Sequence, residues 1–233
     1  VSSLPAQTTG YITFGTLTRS VRINYRTIRV WSELLKKVVG SRLIINSSSF
    51  VDTQSQQLIV ERFAVEGIAA ERLEIGYESP PWDLLRRMDI GLDCFPHNSG
   101  TTLLESLYMG VPFISLADRP SVGRIGASVL DAVGHTEWIA GSENEYIEKV
   151  VDLTQDLGKL AGIRRSLRRQ MKSLPVMDGG GFVVMLETAY RQMWEQCCRQ
   201  NEMMSTVELA PPQAQLDSVM ALYSKGQIKQ ALE

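Results

Sequence analysis

The sequence predicts an α/β protein built on a doubly wound, Rossmann-like parallel sheet, and three observations carry that prediction. Short runs rich in β-branched and aromatic residues alternate with amphipathic runs of helical spacing over residues 11–140. The connections between the runs are short, and beyond residue 142 the pattern is helical throughout. Strands that alternate with helices in this way form a parallel sheet covered on both faces.

The first two elements show how each assignment is made. A strand is expected over 11–17, where "YITFGTL" is rich in β-branched and aromatic residues. A helix is expected over 27–39 because apolar side chains recur there at helical spacing, with Gly40 at the C-cap position. Those apolar side chains are Ile28, Trp31, Leu34, Leu35 and Val38.

The alternation then continues to residue 140. Further strands are predicted at 41–46, 71–77, 89–95, 112–116 and 137–140. Helices are predicted at 53–67, where Gly67 ends the run, and at 80–88, 101–110 and 122–134.

The rest of the chain divides into two further segments. Helices expected within 142–200 would pack on a Rossmann-like domain formed by residues 1–141. Residues 201–233 read as a polar linker and a helical hairpin with Gly226 at its turn. The hairpin resembles the start of a tetratricopeptide repeat, with Ala231 at a close-packing position, although a plain terminal hairpin explains it equally well.

Composition excludes several classes of function. The formal charge of -2 gives no global attraction to nucleic acid or an anionic membrane, and no apolar run reaches the length of a membrane span. We expect a cytoplasmic protein. Three cysteines and two histidines predict neither a disulfide framework nor a metal site, so we expect no metal and no cofactor.

Two familiar nucleotide-binding motifs are absent, and two other motifs carry little weight. No G-x-G-x-x-G follows the first strand and no phosphate-loop motif occurs, which disfavours a conventional dinucleotide site. The "DGGG" run at 178–181 is interpreted as a flexible turn. A basic cluster of four arginines is interpreted as a solvated helix face. Its members are Arg164, Arg165, Arg168 and Arg169.

The stretch "HNSGTT" is the best candidate for an anion site. It follows a strand and opens a helix, so Gly100 would let a ligand approach the backbone while Thr101 and Thr102 offer hydroxyl and N–H donors. Glu105, about one turn further on, could accept hydrogen bonds from ribose hydroxyls. The alternative is a simple capped helix in which residues 99–102 form the N-cap and Glu105 completes a capping box.

Two arginines in the first strand-to-helix loop favour the anion site. Arg19 and Arg22 lie beyond the end of the first strand without an acidic partner in the same loop, and two guanidinium groups there would neutralise a diphosphate. Taken alone, such a pair is as well explained by loop solubility. Its expected position beside Thr101 is what indicates a binding role.

Four motifs in this order make the chain resemble the C-terminal half of the catalytic region of the O-GlcNAc transferase and SPINDLY-like family. They are "GYITFGTLTR", "DIGLDCFPHNSGTTLLESLYMGVPFISL", "VGRIGASVLDAVGHTEWIA" and "LETAYRQMW". The resemblance implies a GT-B glycosyltransferase of two Rossmann-like halves, in which the second half holds the nucleotide-sugar donor. It also implies tetratricopeptide repeats that select protein acceptors, and a first catalytic half before residue 1.

The resemblance assigns roles to seven residues. Arg19 and Arg22 match positions that touch the donor diphosphate, where many relatives have Gln and Lys. Thr101 and Thr102 match the helix start that cradles the diphosphate, and Glu105 matches the residue that holds the ribose. His97 and Gly100 match positions near the transferred sugar. Many relatives have a histidine near the base where this sequence offers Pro81 or Trp82, so the base is left open between UDP and GDP.

The expected chemistry is sugar transfer from a nucleotide donor, such as UDP-GlcNAc, to a Ser or Thr hydroxyl without an obligatory metal. Guanidinium groups and a helix N-terminus would stabilise the charge that develops on the leaving diphosphate. No general base is assigned in this chain, and activity is expected to need the first catalytic half. Two alternatives stay open: a degenerate scaffold module of the same fold, and an epimerase or phosphorylase-like enzyme.

Overall fold

The computed structural model describes residues 2–119, 121–206 and 213–224. The chain forms two compact units, Val1–Gly179 and Gly180–Glu233. The candidate site belongs to the first unit. No helix among the described residues combines the length and the apolar character that crossing a membrane requires.

The first unit contains a six-stranded parallel sheet of order β3-β2-β1-β4-β5-β6, which confirms the predicted fold class. Its strands are β1 (Thr13–Leu17), β2 (Arg42–Asn46), β3 (Leu73–Gly76), β4 (Ile90–Leu92), β5 (Phe113–Leu116) and β6 (Ile139–Ala140). β1 pairs with both β2 and β4, with Phe14 opposite Leu43 on one side and Ile90 on the other. The strand order therefore reverses between β1 and β4.

Helices connect the strands and extend the chain beyond the sheet. They are α1 (Ala6–Thr9), α2 (Tyr25–Lys37), α3 (Thr53–Val65), α4 (Trp82–Arg87), α5 (Thr101–Tyr108), α6 (Ile125–Ala132), α7 (Glu143–Thr154) and α8 (Leu157–Lys172). The second unit contains most of α9 (Gly179–Thr206) and all of α10 (Gln213–Ser224).

Two apolar cores lie on opposite faces of the sheet. Leu43 and Ile45 of β2 belong to the larger cluster and the intervening Ile44 to the smaller one, as the alternation of side chains along a strand requires. The larger core includes the fully buried Trp31 of α2, whose indole N–H donates to the hydroxyl of Tyr146 on α7 at 3.3 Å. Both faces are thus closed, and the open surface for ligands is an edge of the sheet.

Element boundaries differ from the predictions where the chain leaves the sheet. The strand expected over 89–95 ends at Leu92, because the chain then turns into the loop that carries His97. The first part of the helical segment expected within 142–200 divides into α7 and α8, since Asp156 caps a new helix by accepting from the Lys159 N–H.

Two interpretations of the C-terminal motifs are wrong. The "DGGG" run is not a flexible turn at its glycines, because residues 179–181 form the first turn of α9. Arg164 does not lie on a solvated face, because its side chain is fully buried and donates to backbone carbonyl groups of the α4 segment. Sequence patterning alone does not distinguish a solvated arginine from one that caps a buried helix end.

The predicted hairpin lies only partly within the described residues. α9 continues to Thr206, beyond the expected start of the linker, and α10 covers the first predicted hairpin helix. Gly226 and Ala231, on which the resemblance to a tetratricopeptide repeat rests, lie outside the described residues. That resemblance stays a prediction.

Candidate functional site

The candidate site is a cavity of about 620 Å³ that opens at the carboxyl edge of the sheet. It is formed by the segments that follow β1, β2, β3 and β4, so it lies where the strand order reverses. Ligands of doubly wound sheets bind at this position, because the N-termini of the following helices converge there. All seven residues predicted for the site line the cavity: Arg19, Arg22, His97, Gly100, Thr101, Thr102 and Glu105.

Arg22 approaches the loop after β4 directly. It ends a short 3-10 helix, Ser20–Arg22, and its Nη1 donates to the backbone carbonyl oxygen of Asn98 at 3.3 Å. Asn24 reinforces the approach by donating to the carbonyl oxygen of Phe95 at 2.7 Å. The loops after β1 and β4 are therefore tied together, which places the guanidinium of Arg22 on the same side of the sheet as the start of α5.

The start of α5 is open for a ligand. Its N-cap is Gly100, and no side chain caps the helix, so the predicted alternative of a capping box with Glu105 is wrong. The Leu103 and Leu104 N–H groups return to the carbonyl oxygen of Gly100. The N–H groups at the very start of a helix have no intrahelical acceptor and carry the positive end of its dipole. Thr101 and Thr102 thus present donors to the cavity.

The cavity combines positive charge with two acidic residues, Glu105 on α5 and Glu78 in the segment after β3. Neither Arg19 nor Arg22 forms an ion pair with another described residue, so both charges are available to an anion. Partial burial lowers the pKa of His97, and the positive charges of Arg22 and Arg19 lower it further, which favours a neutral imidazole at pH 7. Burial raises the pKa of Glu105.

The buried side-chain amide of Asn98 anchors the loop that carries His97. Asn98 is 1% exposed, and its Nδ2 donates to the carbonyl oxygens of Cys94 at 3.0 Å and Leu116 at 3.3 Å. Its own N–H donates to the carbonyl oxygen of Val122. His97 therefore projects into the cavity from an anchored loop and not from a free one.

The opposite wall includes Trp82, one of the two positions predicted to lie near the base, and two residues without a predicted role, Asn46 and Tyr77. Asn46, at the end of β2, accepts from the Glu78 N–H at 2.7 Å and donates to the Glu78 carbonyl oxygen at 3.1 Å. This pairing holds the segment after β3, which brings the partly exposed side chains of Tyr77 and Trp82 to the cavity. Asn46 could have been anticipated, because it ends a predicted strand at the ligand-binding edge. Tyr77 carries the same signal, because it ends the strand predicted at 71–77.

A second cavity, of about 520 Å³, lies at the amino ends of β1, β2 and β3. Its charged lining is already paired in part: Arg86 with Asp83 and Arg87 with Glu74. In a doubly wound sheet the helices that follow the strands begin at the opposite, carboxyl edge. No group of three or more His, Cys, Asp or Glu side chains suited to a metal ion occurs among the described residues of either region.

Comparisons with known proteins agree on the family. The family described as glycosyl transferase family 41 matches residues 2–184. The chain is 34% identical over 203 residues to the probable UDP-N-acetylglucosamine–peptide N-acetylglucosaminyltransferase SPINDLY of Arabidopsis thaliana, which covers 85% of this chain and 22% of that protein. It is 36% identical over 202 residues to the protein of the same name from Oryza sativa subsp. japonica, again covering 85% and 22%.

A comparison with a solved structure agrees with the sequence comparisons. A mutant of the O-GlcNAc transferase of Thermobaculum terrenum superposes with a TM-score of 0.78 at 33% identity, covering 82% of this chain and 38% of that one. The chain thus spans about a fifth of the length of the curated relatives and well under half of the solved one.

Proposed function

The chain belongs to glycosyl transferase family 41, and from that premise we propose that it binds the nucleotide-sugar donor of a protein glycosyltransferase. Arg22 and Arg19 and the start of α5 would hold the diphosphate. Glu105 would accept from the ribose hydroxyls, and His97 and Gly100 would lie beside the transferred sugar. The donor would be UDP-GlcNAc or a related UDP- or GDP-sugar.

One observation carries this proposal. A guanidinium with no acidic partner among the described residues and an uncapped helix N-terminus line the same cavity, where both would contact a bound pyrophosphate. As the bond from sugar to diphosphate breaks, negative charge develops on the leaving oxygens. Fixed N–H donors and arginine stabilise that charge without a metal, because they are already oriented before the reaction.

The acceptor would be a Ser or Thr hydroxyl of a protein or peptide. We assign only donor binding to these residues and place no general base in the chain. The first catalytic half of a GT-B enzyme and tetratricopeptide repeats would complete the site and select the acceptor. We place the reaction in the cytoplasm.

Isothermal titration calorimetry with UDP, GDP and UDP-GlcNAc tests donor binding. The wild-type chain should bind either the uridine ligands, UDP and UDP-GlcNAc, or GDP. Arg22→Ala should weaken that binding at least about tenfold, as expected for loss of a charge-assisted contact. Arg165→Ala is the matched control, because Arg165 is exposed on α8 and does not line the cavity. Its affinity should equal that of the wild type.

Two outcomes would contradict the proposal. No binding of any of the three nucleotides at millimolar concentration would favour a scaffold module of the same fold. Binding that is equally strong in Arg22→Ala and in the wild type would place the diphosphate somewhere else.

A further inference from the structure

Asp93 is a fully buried acidic residue directly beneath the candidate site, and no role in ligand contact accounts for it. It follows β4, and its Oδ1 accepts from the Ser99 N–H at 2.7 Å while its Oδ2 accepts from the Ser115 hydroxyl at 2.6 Å. No ion pair with a described residue neutralises it. A buried carboxylate is costly unless its hydrogen bonds serve the structure around it.

The bond from Ser99 to Asp93 sets where the loop ends and the helix begins. Ser99 comes immediately before Gly100, the N-cap of α5, so the direction of the Ser99 peptide determines how the next N–H groups point. Asn98 fixes the preceding peptide by donating to the carbonyl oxygens of Cys94 and Leu116. The bond to Asp93 fixes the Ser99 peptide, which is the last peptide before the N-cap of α5.

The packing around Asp93 leaves it little freedom. A Cβ at Gly126 of α6 would lie 2.7 Å from Oδ2 of Asp93 and 2.0 Å from the Ser115 hydroxyl oxygen, so the helix backbone presses against the pair. The Tyr146 hydroxyl donates to the backbone carbonyl oxygen of Asp93 at 3.2 Å. β5 and α6 therefore confine the Asp93 carboxylate and α7 holds its backbone, so Ser99 is bonded to a rigidly placed group.

We propose that Asp93 is a positioning residue of the diphosphate site, which holds the Ser99 amide and thereby aims the N–H groups at the start of α5 into the cavity. The inference rests on the proposed function, because it concerns the same ligand. A carboxylate suits this task, since a charge-assisted hydrogen bond is shorter and about twice as strong as a neutral one. The loop then keeps its shape when an anion binds.

An NMR titration with inorganic pyrophosphate at pH 8.5 tests the positioning role of Asp93, and it does not depend on which nucleobase the site accepts. Asp93→Ala leaves the Ser99 amide without an acceptor and should weaken binding about tenfold, the equivalent of one lost buried hydrogen bond. Asp93→Asn still offers an oxygen to that amide and should stay within about threefold of the wild type. Ser115→Ala removes the other bond to the same carboxylate, outside the loop, and should also stay within about threefold.

The outcomes separate positioning from a general loss of stability. A folded Asp93→Ala chain with wild-type affinity, or an equal loss of affinity in Ser115→Ala, would overturn the inference while leaving the proposed function intact. If Asp93→Ala does not fold, hydrogen exchange of the Ser99 amide in the ligand-free wild type decides: slow exchange supports the bond, and exchange at an open-loop rate overturns it. Failure of the wild type to bind pyrophosphate and UDP would overturn both proposals, with every variant affected alike.

Discussion

The guanidinium of Arg22 donates to the backbone carbonyl oxygen of Asn98, 76 residues further along the chain, at 3.3 Å. The contact joins the first strand-to-helix loop to the loop that leads into α5. It uses only one of the five N–H donors of the arginine, so the remaining donors can serve an anion in the cavity.

Arg22→Lys should weaken nucleotide binding less than Arg22→Ala but measurably. Lysine keeps the positive charge, whereas it lacks the planar fork that can contact Asn98 and a phosphate together. We expect affinity for the bound nucleoside diphosphate to fall about threefold to fivefold, against tenfold or more for alanine. Calorimetry at two salt concentrations measures the affinity of each variant and the part of it that depends on charge. If Arg22→Lys binds the nucleotide as weakly as Arg22→Ala, the planar geometry of the guanidinium contributes more to binding than its charge.

Arg164→Met should destabilise the first unit by about 3 to 5 kcal/mol, because it removes the donors of a buried hydrogen-bond network. Arg164 Nη1 donates to the Met88 carbonyl oxygen at 2.7 Å, and Nη2 donates to the Ser2 hydroxyl at 2.9 Å and the Arg86 carbonyl oxygen at 3.1 Å. Burial lowers the pKa of Arg164, and nearby Asp89 partly offsets that effect. Urea unfolding measures the change.

The neighbouring arginine supplies the control for that experiment. Arg165 is exposed on the same helix, so Arg165→Met should change the free energy of unfolding by no more than about 0.5 kcal/mol. Equal effects at the two positions would mean that helix propensity, and not the buried network, determines the result.

These two arginines show what the sequence does and does not reveal. Hydrophobic periodicity predicts α8 correctly, because one face of the helix repeats at the helical period. It cannot tell that Arg164 turns inward, since the acceptors, most of them backbone carbonyl groups, lie 76 to 162 residues earlier in the chain. Long-range contacts with backbone carbonyl groups leave no pattern in the sequence.

Some residues of the candidate site can likewise be predicted from the sequence and others cannot. Arg22 and Thr102 are predictable because each follows a strand at the edge where ligands of doubly wound sheets bind. Asp93 and Asn98 lie within the same motif, yet their roles depend on which backbone groups the folded loop turns toward them. Tyr77 lies at the cavity next to Glu78, which pairs with Asn46 at the end of β2.

Gly126→Ala should destabilise the protein although Gly126 lies within a helix, where alanine is normally favoured by about 1 kcal/mol. A Cβ at this position would be 2.0 Å from the Ser115 hydroxyl oxygen. We expect a net loss of about 1 to 3 kcal/mol from overpacking, measured by thermal unfolding.

Gly162→Ala in α8 is the matched control for Gly126→Ala. Among the residues that the structure describes, no heavy atom other than those of the chain neighbours and the backbone of α8 lies within 4 Å of the position that a Cβ would take at Gly162. The substitution should therefore stabilise the protein by about 0.5 to 1 kcal/mol. A stabilising effect at both positions would contradict the close approach of α6 to Asp93.

The stability of the wild type relative to Asp93→Asn should fall as pH rises from 5 to 8. Complete burial raises the pKa of Asp93 to about 7, and the hydrogen bonds from Ser115 and Ser99 only partly oppose this. In the unfolded chain an aspartate loses its proton near pH 4, so between about pH 4 and 7 the native state binds more protons than the unfolded state. Raising the pH through this window therefore costs stability in the wild type, and the cost is fully present above pH 7.

Asparagine cannot titrate, so the difference between the two free energies of unfolding isolates this one carboxyl group. We expect that difference to shift against the wild type by about 1 to 3 kcal/mol between pH 5 and pH 8, as linkage requires for a raised native pKa. Urea unfolding at four pH values in that range measures it. A difference that is constant with pH would mean that the carboxyl titrates at the same pH in both states, and that Asp93 is in contact with water in the native protein.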